Sequence, residues 1–201
     1  FFKWLEKNSY LDENPLNRIK PPKVSYDSNE RLDDEQVNRI YGAIVQNTPD
    51  IFMLRRDIVM ISLLLYTGMR KGEFRSLQVK DIDLDKKTIT IQAETSKSNR
   101  QRTMPIHPTL LLHIKTYIDE RRKCKLTTEY FIASSKKDKG LSEGGLKHWE
   151  ERLEKLSKEK FHLHQLRHTF ACKITESGTP SLSLQKLMGH ANISMTQRYT
   201  R

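Results

Sequence analysis

Along residues 32–47 the apolar side chains Val37, Ile40, Tyr41, Ile44 and Val45 recur at intervals of three and four, the spacing of one helix face. Asp33 stands just before the run with Gln36 three residues on, the pairing of a capping box, so a helix is expected to start there. The stretch "IVMISLLLY" (residues 58–66) is apolar almost throughout and reads as the buried part of a second helix over about residues 54–67, ended by Gly68. A short helix is expected over residues 71–77. The period then changes. Ile89 and Ile91 alternate with polar residues, a polar stretch follows over residues 95–101, and Met104 and Ile106 resume the alternation. That pattern predicts a β-hairpin with a long polar tip. Helical spacing returns over residues 108–122, 142–157, 163–177 and 180–188, with Gly178 where a helix C-terminal glycine belongs. A last helix is expected to start near Ser194 and to contain Tyr199. The fold class is therefore mainly α with a small antiparallel sheet (α+β).

The start of the chain follows another rule. Residues 1–13 read as a helix with Phe1, Phe2, Leu5 and Leu11 apolar, and "NPLNRIKPPKVS" then brings three prolines and no period, as a linker does. This divides the chain into residues 1–26 and a main unit over residues 27–201, compact from about Arg31. The opening "FFKWLEKNSYL" has neither an initiating Met nor a cleavable signal pattern, so the chain is expected to be part of a longer protein. No apolar run approaches the roughly 20 residues that span a bilayer, so no membrane location is expected.

Charge adds a partner to this outline. The chain carries 36 Lys and Arg against 25 Asp and Glu, a formal net charge of +11 at pH 7. Such an excess points to a polyanion, and nucleic acid is favoured over an anionic membrane surface. Arg100, Arg102 and the run "RRKCK", with Arg121, Arg122, Lys123 and Lys125, are expected to supply a salt-sensitive grip on DNA. Cys124 and Cys172 are far apart without metal-ligand spacing, which suits a reducing cytoplasm.

Four segments set polar residues beside apolar helices. "YTGMRKGEF" has Arg70 and Glu73, "TSKSNRQR" has Lys97, "HLHQLRHTFA" has His164, Arg167 and His168, and "MGHANISMTQRY" has His190 and Tyr199. Singly each has a plain explanation. Arg70 and Glu73 suit an exposed ion pair, Lys97 a solvated hairpin tip, and Tyr199 a core or interface tyrosine. Three histidines suggest zinc, but no acidic or thiolate ligand stands at metal spacing, so no metal is expected. Together, two arginines, a lysine, two histidines and a tyrosine suit chemistry on a phosphodiester. Arginine meets non-bridging oxygens with a planar fork that stays charged. A tyrosine hydroxyl can attack phosphorus if nearby positive charge or a proton acceptor helps it ionise, and a lysine can protonate the leaving alkoxide.

The order of these segments resembles the catalytic domain of tyrosine recombinases, the phage integrase family, over about residues 30–201. "TGMRKGEFRSLQVKDID" is similar to that family's first arginine box, "SKSNRQRTMPI" to its β-hairpin lysine segment, "HLHQLRHTFA" to its His-x-x-Arg box and "LMGHANISMTQRYT" to its last box. The nine-residue step from His190 to Tyr199 is the family's usual one. The resemblance implies the family's catalytic-domain fold over residues 27–201, after the end of a core-binding domain and its linker in residues 1–26. It implies that Tyr199 attacks a scissile phosphate to form a 3′-phosphotyrosyl link and free a 5′-hydroxyl. Arg70 and Arg167 would clamp the phosphate, Lys97 would protonate the leaving oxygen, and His164 and His190 would bond the phosphate and help move the tyrosine proton. Glu73 would support the arginine region from behind. The linkage stores the bond energy, so no cofactor is expected. The implied partners are a specific double-stranded DNA site and, at full length, three further copies in a tetramer on paired sites. Members usually continue past the tyrosine with a tail that packs on a neighbouring subunit, whereas only Thr200 and Arg201 follow here. Two rival readings share the set: a type IB topoisomerase that relaxes DNA as a monomer, and a DNA-binding relative that has lost catalysis. The Gly-His step before Tyr199 favours the recombinase over the first, and the intact set argues against the second.

Overall fold

The computed structural model describes residues 1–19, 31–96, 100–134, 137–190, 194–197 and 199. Lys97 and the rest of the hairpin tip at residues 97–99 lie outside them, as does the second half of the expected linker.

The centre of the fold is α3 (Ile51–Thr67), buried nearly all round. A helix apolar on every face has no solvent side and must be covered by its neighbours. These are α2 (Asp34–Asn47), α5 (Pro108–Lys123) and α7 (Leu163–Glu176). Its start precedes the expected one because Asp50 caps it, accepting from the Met53 N–H at 2.7 Å. Its end is the expected one: Gly68 adopts φ +58°, and a Cβ there would collide with the Phe170 ring on α7. Only glycine suits that close approach in the left-handed region.

The capping box at the start of α2 forms as expected, with Asp33 accepting from the Gln36 N–H at 2.7 Å and Gln36 from the Asp33 N–H at 3.0 Å. Its buried face is Val37, Ile40, Ala43 and Ile44, while Val45 sits on the flank and is exposed. Helix α6 (Glu143–Ser157), capped by Ser142, covers α2 and reaches α3 through a charge network. Buried Asp57 accepts from Arg56 at 3.0 Å and also from Arg152 of α6.

The sheet is antiparallel in the order β1 (Ile82–Asp83), β2 (Thr88–Ile91) and β3 (Arg102–Pro105). The hairpin is the expected one, and β1 is an addition too short to show a period. Ile89 pairs with Met104 and Ile91 with Arg102, so Ile89, Ile91 and Met104 enter the core.

Two segments, near the two ends of the chain, differ from expectation. Helix α1 is only Phe2–Lys7, because Asn8 and Ser9 close it, Ser9 with φ +58°. None of its residues is buried, and Phe1, Trp4 and Tyr10 are exposed. Helix α8 (Ser181–Met188) ends where expected, but α9 is a single turn, Ser194–Gln197. Tyr199 therefore lies beyond α9, in a turn closed by its N–H on the Thr196 carbonyl at 3.0 Å.

Candidate active site

The chemistry-bearing residues gather where three chain breaks meet: the end of α3, the start of α4 (Lys71–Ser76) and the end of α8. The sequence "LMGH" builds the last of these. Gly189 at φ +60° lets its N–H reach the Lys186 carbonyl at 3.1 Å and the His190 N–H reach that of Gln185 at 3.1 Å. This double bond pattern ends the helix and turns His190 back over it. The three carbonyls of Leu187, Met188 and Gly189 are left at the negative end of the helix dipole, where cations are stabilised.

Each of those carbonyls takes one arginine. Arg102 Nε donates to Leu187 at 2.9 Å, Arg167 Nη2 to Met188 at 2.7 Å, and Arg70 Nη2 to Gly189 at 2.8 Å. Arg167 also donates through Nη1 to the carbonyl of Gly68. Both expected phosphate-binding arginines are thus anchored on carbonyls of helix-ending glycines.

Glu73 lies beneath them with a side chain 1% exposed. It accepts from the Arg70 N–H at 2.9 Å and from Arg70 Nη1 at 3.0 Å. Arg102 grips it with both forks, Nη1 at 2.9 Å and Nη2 at 2.6 Å. Burial on its own would raise the carboxyl pKa. The hydrogen bonds from Arg102 and the Arg70 backbone, with both guanidinium charges, outweigh it and hold the group at about 2. The folded value lies below the ordinary 4.5, so this stabilisation is fully present above pH 4.5 and is lost as pH falls toward about 2. Glu73→Gln is expected to cost about 3 kcal/mol at neutral pH, since it strands buried cations. Denaturant titrations stepped in pH should show the gap to wild type closing below that ordinary value; a constant gap would show that the ion pairs carry none of it.

Arg167 is 3% exposed and, among the described residues, has no carboxylate within ion-pair distance. Burial, then the neighbouring Arg70 charge, push its pKa down to about 9. It remains a cation at neutral pH, hydrogen-bonded to neutral carbonyls and attracted by Glu73 only at longer range among the described residues.

The nucleophile candidate sits between two imidazoles. The Tyr199 ring is 7% exposed, its centroid 4.9 Å from His168, edge to face, and 6.3 Å from His190, nearly parallel. His190 Nδ1 is 2.9 Å from Thr196 Oγ1, and the His190 carbonyl accepts from Gln185 at 3.2 Å. His164 is exposed on the first turn of α7, one turn before Arg167. His168, to which the family resemblance assigns no role, is carried to Tyr199 by its place one residue after Arg167 on α7.

The basic residues expected on DNA divide. Arg100, Arg122, Lys123 and Lys125 are exposed. Two are placed otherwise. Arg121, 6% exposed, donates to the carbonyls of Thr128, Tyr130 and Phe131 at 2.7 to 3.0 Å. Arg102 has a side chain 9% exposed and is spent on Glu73 and Leu187. Both stand in register with apolar neighbours, Arg121 after Leu110, Ile114 and Tyr117, and Arg102 two before Met104. The buried face of each element therefore carries them inward, and their carbonyl and carboxylate partners offset the desolvation.

A helical shell on a small antiparallel sheet thus gathers arginines, histidines and a tyrosine around one helix end. The phage integrase family model matches residues 30–201, and the chain belongs to that family. Tyrosine recombinase XerC of Oceanobacillus iheyensis is 29% identical over 206 residues, covering 100% of this chain and 66% of that protein. The crystal structure of XerA recombinase superposes with TM-score 0.72 at 25% identity, over 99% of this chain and 67% of that one. A XerH site-specific recombinase bound to difH substrate before cleavage shares the fold, with TM-score 0.71 at 21% identity, over 98% of this chain and 59% of that one. The chain thus spans just under two thirds of the XerC relative's length. Among the described residues no helix is long and apolar enough to cross a membrane.

Proposed function

We propose that this chain is the catalytic part of a cytoplasmic, site-specific DNA recombinase, working without a cofactor through a 3′-phosphotyrosyl intermediate. One observation carries the reading. Among the described residues Arg167 is a buried cation whose hydrogen bonds go to carbonyls and that has no carboxylate within ion-pair distance, beside Arg70 and next to the pocket of His168, His190 and Tyr199. Three guanidiniums face one carboxylate there, and an anionic phosphodiester supplies the missing negative charge. Carbonyl bonds fix the planes of Arg70 and Arg167, so their remaining N–H groups form a preorganised cradle for non-bridging oxygens. In this cradle the Tyr199 oxygen attacks phosphorus in line with the 5′-oxygen, one P–O bond forming as the other breaks. His190 and His164 hydrogen-bond the phosphate and take up the tyrosine proton, and Lys97 gives a proton to the leaving 5′-oxygen. Rejoining reverses the steps with a new 5′-hydroxyl.

The exposed side chains of Arg100, Arg122, Lys123 and Lys125 supply the electrostatic part of the grip on duplex DNA, as the DNA-bound XerH neighbour supports. Residues 1–26 are the end of a core-binding domain with its linker, and residues 27–201 the catalytic domain. The exposed aromatic residues in and beside α1, Phe1, Trp4 and Tyr10, suit a segment that belongs to a preceding unit. At full length the protein works as a tetramer on two sites. The test is a pool of nicked suicide duplexes of randomised sequence, from which the protein selects its own site. SDS-resistant adducts on a shared sequence motif are expected. Adducts with no sequence preference, together with relaxation of supercoiled plasmid, would point to a topoisomerase; DNA binding without any adduct would leave a DNA-binding protein only.

A further inference from the structure

We infer that Arg102 is a positioning residue: through Glu73 it aims the Arg70 guanidinium, and through Leu187 it ties the catalytic hairpin to the end of α8. It does not contact DNA. The inference rests on the function proposed above, in which Arg70 holds the scissile phosphate.

The geometry leaves Arg102 little else to do. Nε is bound to the Leu187 carbonyl, and the two terminal nitrogens to the two oxygens of Glu73. That carboxylate in turn holds Arg70 by its backbone N–H and by Nη1, which leaves the opposite edge of Arg70 to Gly189 and to a ligand. Arg102 thus fixes the carboxylate that fixes Arg70. Without it, Glu73 would be a buried acid with one guanidinium in place of two, free to rotate or to protonate. The charged groups facing Glu73 are Arg70 at the start of α4, Arg102 on β3 and, at longer range, Arg167 on α7.

Gly189 independently marks the same contact. A Cβ there would lie 2.8 Å from Arg102 Nη1 and 3.4 Å from Arg70 Nη1. The backbone before His190 is pressed against both guanidiniums, so only glycine leaves room for the pair. Arg102 also opens β3, five residues after Lys97 in the chain. One side chain therefore joins the strand that follows the general-acid candidate to the helix end that presents His190.

The test compares the whole chain with Arg102→Met, Arg102→Lys and Arg102→Met/Glu73→Gln, using the selected suicide duplex for single-turnover cleavage and ¹³C-carboxyl NMR for Glu73. Arg102→Met is expected to bind DNA within about twofold of wild type and to cleave roughly a hundredfold more slowly, as a displaced catalytic group does. Its cleavage should gain an acid limb that wild type lacks, lost again in the double variant. Its Glu73 signal should titrate between the ordinary carboxyl range and neutrality, where the wild-type signal stays flat. Arg102→Lys keeps the charge without the fork, so it should cleave slowly with no acid limb; it also carries the test should the methionine variant not fold. Equal losses of affinity and cleavage with no acid limb would make Arg102 a DNA contact and overturn the inference, as would wild-type cleavage by the methionine variant. If wild type forms no adduct, the proposed function fails by itself, and an unchanged Glu73 titration in Arg102→Met would still overturn the inference.

Discussion

Tyr199→Phe is expected to abolish the covalent protein–DNA adduct while leaving DNA affinity within about twofold of wild type. Only the hydroxyl oxygen can attack phosphorus, and phenylalanine keeps the ring that packs edge-on against His168 and parallel to His190. The turn that presents it is held by a backbone bond to Thr196, which the substitution does not touch. Denaturing gels of wild type and variant on the selected suicide duplex measure it. An adduct formed by the variant would remove Tyr199 from the role, and the reading of residues 190–199 with it.

Arg70→Lys and Arg167→Lys are each expected to lower the cleavage rate about 10²–10³-fold, the scale on which one preorganised donor acts on developing charge. Charge is conserved in both, so the loss isolates geometry. Arg167 spans the ends of two helices, from the Gly68 carbonyl to that of Met188, and a single ammonium cannot hold both while still offering N–H groups to phosphate. Arg70 spends one edge on Glu73 and one terminal nitrogen on Gly189 in the same way. Single-turnover cleavage at saturating protein separates rate from affinity. Near wild-type rates for both variants would break the clamp assignment.

The two sets of variants report on different parts of one arrangement. Tyr199 supplies the reacting atom, the arginines the field around it, and Glu73 with Arg102 the fixed direction of that field. Substitutions at Arg70 and Arg102 are expected to be strongly non-additive, because both act through one carboxylate.

Much of this was open to sequence reasoning. The cap at Asp33, the glycines at Gly68 and Gly178, the apolar run of α3 over residues 58–66 and the alternating hairpin depend on local sterics and on hydrophobic period. Those rules act over a few residues and needed no knowledge of the rest of the chain. The order of the four polar segments, with the step from His190 to Tyr199, likewise lies in the chain as a string and led to the family.

Where the charged residues turn belongs to the tertiary structure. Arg102 and Arg121 stand in register with buried apolar neighbours, but a cation is placed on the surface by default because its desolvation is costly. Inward placement holds only where distant parts of the chain supply acceptors: Glu73 and Leu187 for Arg102, and the carbonyls of residues 128–131 for Arg121. No local pattern announces such partners. The same holds for His168 against Tyr199 and for the end of α8. Three carbonyls there collect arginines from α7, from the start of α4 and from β3, because the unpaired carbonyls of a helix end draw positive charge from whichever elements the packing brings near. Periodicity and caps set which segments form and where they stop. The burial of α3 against its neighbours decides which side chains then meet, since that meeting depends on distances between residues about a hundred positions apart in sequence, such as Gly68 and Arg167.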